Sequence, residues 1–91
     1  MKQFSKETIT TIVRCTINKY RLGYITDNEI DISADNDYVT LKPISFEDRF
    51  MPYAAKKILK SCPSVHYVHF TGGAIENVYS KETLKWSGIW K

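Results

Sequence analysis

Long apolar runs, glycine, proline and cysteine are all scarce in this chain of 91 residues. No apolar stretch approaches the roughly 20 residues that a membrane span requires. The segment Met1 to Asn18 is broken by Lys6, Glu7, Arg14 and several threonines, and it holds neither an apolar export core nor a small-residue cleavage site. A cytoplasmic protein is therefore expected, and its two cysteines, Cys15 and Cys62, read as reduced thiols. Two cysteines fall short of a tetrahedral zinc set. Four glycines and three prolines leave no linker and no low-complexity tract. Neither a Gly-x-Gly-x-x-Gly, a P-loop nor a Gly-x-Ser-x-Gly occurs, so no nucleotide, cofactor or hydrolase motif gives a lead.

What is present fits a folded chain: 43% apolar, 13% aromatic and 25% charged residues. Domains hold roughly 100–150 residues, so residues 1–91 are expected to form one. A domain of this size buries only about 60–65% of its unfolded surface. A deep catalytic cleft would consume apolar volume that it can hardly spare, which favours a binding module over an enzyme.

The periodicity predicts a helix from Ser5 to Leu22, with Ser5 as N-cap, Phe4 and Ile9 as a hydrophobic staple, and Gly23 as the stop. Ile9, Ile12, Val13, Thr16, Ile17 and Tyr20 form its core stripe, with Arg14, Asn18 and Arg21 opposite. A hairpin follows, 28–33 and 38–42, in which Ile32 faces Val39, Ile30 faces Leu41 and Glu29 faces Lys42. Ser45 is the expected cap of a second helix ending at Ser61 before Pro63, with Met51, Ala54, Ala55, Ile58, Leu59 and Cys62 inward. Pro52 should kink that helix or start a new one. A second hairpin, 65–70 and 74–80, turns at Gly72-Gly73, and Leu84 and Trp86 in the tail 83–90 alternate like a fifth strand or an irregular flap. The expected fold class is α+β, with the order α-β-β-α-β-β(-β): two helices on a four- to five-stranded, mainly antiparallel sheet.

A net charge of +3 conceals segregation. Residues 1–26 carry five basic side chains against one acidic, a net +4. Residues 27–48 carry one against seven, a net −6, and residues 49–91 seven against two, a net +5. The bases fall on the outer faces of both helices. Arg14, Arg21, Arg49, Lys56 and Lys60, with Tyr53 as a stacking group, are the candidate surface for an acidic partner. Solvated amphipathic faces account for the same lysines, and +3 is modest for a dedicated nucleic-acid binder.

Other constellations carry less. The acids Asp27, Glu29, Asp31, Asp35 and Asp37 lack the glycine and the final glutamate of a calcium loop, having Ile32 and Tyr38 there. His66 and His69 leave opposite faces of a strand, so no metal site is expected. His69 should stand directly opposite Glu76 as an acid–base pair, which is also an ordinary cross-strand device. His66, Tyr67, His69, Phe70 and Tyr79 crowd one hairpin, either to stack unpaired bases or to close a small core. Trp86 is expected in the core, and Trp90 in the core or at an interface.

In composition the chain (short and rich in Ile, Lys, Asn and Tyr) is similar to accessory proteins of bacteriophages and mobile elements. The function expected is a non-enzymatic cytoplasmic interaction protein that binds and inhibits or modulates a larger protein machine, with RNA as a further component of the target. The alternatives are a self-associating homodimer, through an edge strand or the Trp90 tail, and a small enzyme using His69 and Glu76. No cofactor and no membrane are expected.

Overall fold

Hydrophobic periodicity and two capping motifs account for most of the architecture of the chain, seen in a computed structural model that describes residues 4–19, 25–42, 48–72 and 75–90. Helix α1 (Lys6–Lys19) begins where Ser5 Oγ accepts the Thr8 N–H at 3.2 Å, and Phe4 packs against the core. Ile9, Val13, Thr16 and Ile17 are buried on one stripe, as their spacing requires. Tyr20, Arg21, Leu22 and Gly23 lie outside the described residues.

A 3-10 turn (Asp27–Glu29) leads into strand β1 (Ile30–Ile32), paired antiparallel with β2 (Tyr38–Leu41). The register is the predicted one, Ile30 with Leu41 and Ile32 with Val39. Lys42 N–H donates to the Glu29 carbonyl at 3.0 Å, one step further along the same register. The turn is closed by Ser33, whose Oγ accepts from the N–H groups of Asp37 and Tyr38 and donates to the Asp37 carboxylate. Asn36 takes a left-handed conformation (φ 59°), which asparagine tolerates better than most residues.

The second helix differs from expectation at its start. A 3-10 turn (Asp48–Phe50) precedes α2 (Met51–Ser61), with Pro52 in the first helical turn. Proline is harmless there, because those N–H groups have no intrahelical acceptor. The expected Ser45 cap lies outside the described residues. Met51, Ala54, Ala55, Ile58, Leu59 and Cys62 are all buried, as the spacing predicted.

Strands β3 (Tyr67–Gly72) and β4 (Ile75–Ser80) pair antiparallel, and the sheet order is β1-β2-β3-β4. The expected strand start at Val65 moves to Tyr67. The sheet, expected to be mainly antiparallel, is mixed: β1–β2 and β3–β4 are antiparallel, but β2 and β3 run parallel. The cause is α2. Eleven residues of helix span about 16 Å at 1.5 Å each, close to the length of a four- to six-residue strand. The helix thus returns the chain to the end of the sheet from which β2 started, so β3 must point the same way.

The tail corrects the order. In place of a fifth strand there is a short helix, α3 (Lys81–Trp86), giving α-β-β-α-β-β-α. Ser80 caps it, accepting the Thr83 N–H at 3.2 Å, while Thr83 Oγ1 accepts the Ser80 N–H at 2.9 Å.

Helices α1 and α2 cover one face of the sheet, where Val39, Leu41, Val68 and Phe70 are wholly buried. Phe70 meets Tyr79 edge-on at 5.8 Å. The other face is built by the alternate residues Tyr38, Thr40, Tyr67, His69, Thr71, Glu76 and Val78. No helix among the described residues is long and apolar enough to cross a membrane.

Candidate interaction surfaces

Of the six side chains proposed from the sequence, the five that are described separate into two groups. Arg14 lies on the flank of α1 that faces the acidic turn, where its guanidinium is paired with the Asp27 carboxylate. Arg21 lies outside the described residues. Arg49, Tyr53, Lys56 and Lys60 stand on the outer side of α2 and the turn before it. Arg49 rests over the Phe50 ring at 4.8 Å, and Lys56 Nζ lies 6.0 Å from the Tyr53 ring. Tyr53 is 45% exposed.

The C-terminal tail completes this second group. After α3 the chain turns at Gly88 (φ 84°) and lays Ile89 and Trp90 against the core, half-buried. Lys56 Nζ donates to the Ile89 carbonyl at 3.4 Å. The Trp90 ring has Lys60 Nζ at 5.0 Å and Lys81 Nζ at 5.8 Å. Leu59, Lys60, His66, Lys81, Glu82 and Trp90 line a depression of about 400 Å³. A second groove, of about 310 Å³, runs between α1 and α2 past Ile12, Cys15, Lys19 and Lys57.

Lys81 and Trp90 were not among the candidates read from the sequence as one surface with Lys60. Their meeting follows from α3, and α3 follows from the Ser80–Thr83 capping box, which is legible in the sequence. Trp86 is the opposite case. Expected in the core, it is 92% exposed. On a strand, Leu84 and Trp86 share a side; on a helix, at about 100° per residue, they point nearly opposite ways, and only Leu84 is buried.

The open face of the sheet gathers a different chemistry. Tyr38 and Tyr67 lie 5.7 Å apart, and His69 meets Tyr38 edge-on at 6.0 Å. His69 faces Val78, not Glu76 as expected, because Gly72 pairs with Ile75, which shifts the register by two residues from that of a Gly72-Gly73 turn. Glu76 instead faces Thr71 and reaches His69 diagonally: its carboxylate bonds His69 Nε2 and accepts from Thr71 Oγ1 at 3.1 Å. The His69 bond foremost, then the Thr71 bond, hold the Glu76 carboxyl below the usual carboxylate range. Of the crowded hairpin rings, Tyr67 and His69 turn outward while Phe70 and Tyr79 turn to the core. Burial pushes the Cys62 thiol up to about 11, whereas Cys15 is exposed.

No protein-family model matches the chain, and no curated protein and no solved structure matches it.

Proposed function

We propose that this protein is a non-enzymatic interaction domain that docks an acidic surface of a larger protein on the outer side of α2 and the tail laid against it. The observation that carries this reading is the assembly of Tyr53, Lys56, Lys60, Lys81 and Trp90 into one cationic, aromatic surface from three separate parts of the chain. Aromatic side chains with aliphatic stems supply buried area at an interface, and the ammonium groups supply steering. Binding in preference to catalysis is supported by the setting of the acid–base pair: the Glu76 carboxylate is already engaged by two neighbours on an open sheet face.

The test is capture of a partner from lysate by the wild-type domain and by the Lys56→Glu, Lys60→Glu double variant, each with and without nuclease. The wild type should hold a partner that survives nuclease and is released by rising salt. The double variant should lose it while its circular dichroism is unchanged. Equal capture by the double variant would remove this surface from the interaction, and loss of capture on nuclease treatment would assign the contact to RNA.

A further inference from the structure

The two edges of the sheet are finished differently. On β1, the Ser33 N–H to Tyr38 bond and the Lys42 N–H to Glu29 bond direct the backbone of residues 29, 31 and 33 at β2. Ile30 and Ile32 therefore face outward. Their edge is blunted: Ile30 N–H donates to the Asp27 carbonyl, and Lys6 Nζ donates to the carbonyls of Ile32 at 3.2 Å and Ser33 at 2.7 Å. A short strand closed by a lysine is a recognised way to prevent edge pairing.

On β4 no such closure is found among the described residues. Tyr67 N–H donates to Asp37 across the β2–β3 seam, so alternate residues Val68, Phe70 and Gly72 direct their backbone groups at β4. Their partners Tyr79, Asn77 and Ile75 answer them, which leaves Glu76, Val78 and Ser80 facing outward. Ser80 is occupied, since its N–H and carbonyl both bond Thr83 Oγ1, at 2.9 and 3.0 Å. The outward N–H and C=O groups of Glu76 and Val78 have no partner among the described residues. The edge there carries no lysine and no proline, and Glu76, Asn77 and Val78 are all exposed, Val78 at 47%.

We infer that this edge pairs with itself: two copies join β4 to β4 antiparallel, on a two-fold axis at Asn77, and extend the sheet across the dimer. The free groups select the register. About Asn77, Glu76 stands opposite Val78 of the partner subunit, and the two residues exchange both backbone hydrogen bonds. An axis at Val78 would call on Ser80, whose groups are taken. An axis at Glu76 would set two carboxylates face to face. In the chosen register the Glu76 carboxylate stays on its own His69 and Thr71, and each exposed Val78 gains a cross-strand neighbour. The Tyr38–His69–Val78 band of the open face then runs through the dimer unbroken. This surface lies apart from the α2 surface and stands or falls independently of it.

Analytical ultracentrifugation of the full chain over a wide concentration range tests the pairing, with two variants. Val78→Pro deletes an outward N–H, at the kind of edge position where proline is tolerated. Asn77→Asp sets two carboxylates on the axis without touching the ladder. The wild type should double its mass as concentration rises, and both variants should remain monomeric with wild-type circular dichroism. Should Val78→Pro fail to fold, Asn77→Asp decides alone. A wild type that stays monomeric at the highest concentration, or a dimer that Asn77→Asp leaves intact, overturns the inference.

Discussion

Replacing Leu84 by Ala tests the tail, on which the α2 surface depends. Helix α3 has six residues, far fewer than the roughly 12–15 that an isolated helix needs to be even marginal in water. Its place is therefore set by packing and by its cap. Leu84 is 1% exposed and belongs to the core cluster, so its truncation removes nearly a full side chain of burial and leaves a void. Such changes cost about 2–5 kcal/mol, and about 3 kcal/mol is a fair central value. A chain of this length has a total stability of about 5–14 kcal/mol, so the loss is a large share of the whole. The assay is urea unfolding followed by circular dichroism. At an m-value of about 1.5 kcal/mol/M, the midpoint should fall by about 2 M with m unchanged. Trp86→Ala is the matched control. At 92% exposure Trp86 should cost less than about 0.5 kcal/mol. A strand would place both side chains on one side and make both truncations expensive. A Trp86→Ala loss equal to that of Leu84→Ala, or a Leu84→Ala loss below about 1 kcal/mol, would refute the helical tail.

Thiol titration should find one fast cysteine in the folded protein and two after denaturation, because Cys62 is buried with its thiol held near 11 while Cys15 is exposed; two fast thiols in the native state would contradict the burial of Cys62. Carbon-detected NMR should place the Glu76 carboxyl below the ordinary carboxylate value, and His69→Ala should bring it back up. The sign of the linkage follows: a carboxyl lowered in the folded state lends stability that is present above its unfolded value and is lost as pH falls through the lowered folded value. A midpoint that ignores His69→Ala would show that the pair contributes nothing.

Local pattern carried the fold a long way. The β1–β2 register could be written from Ile30, Ile32, Val39 and Leu41 alone, because a one-residue slip would turn every one of them to the wrong face. The inward stripe of α2 was equally determined, down to Cys62. Pro52 left two readings, a kink in a helix capped at Ser45 or a new start, and it falls in the first turn of α2, where its missing N–H costs nothing. The parallel β2–β3 pairing was harder, because it depends on the length of α2 against the length of the strands, a comparison between elements that no single window contains. The period of the tail points the wrong way. Leu84 and Trp86 two apart satisfy a strand, and six residues are too few for a helical stripe to show itself. Only the Ser80–Thr83 cap distinguishes the two, and it begins before the alternating residues Leu84 and Trp86.

The candidate surface was less legible than the fold, and for a related reason. Charge segregation along a chain says how many cations an element carries, not which neighbours engage them once the elements pack. Arg14 and Lys56 both belong to outward helical faces, yet Arg14 meets an acid from the turn before β1, whereas Lys56 meets a backbone carbonyl of the tail. The first contact neutralises a charge. The second leaves it in place while fixing its position, and positions Trp90 beside Lys60 and Lys81 in the process. Asp27 thus neutralises Arg14, the one described cation on the α1 side of the predicted patch. The tail that carries Trp90 to Lys60 and Lys81 is itself anchored by a buried leucine, Leu84, which the charge pattern alone does not reveal.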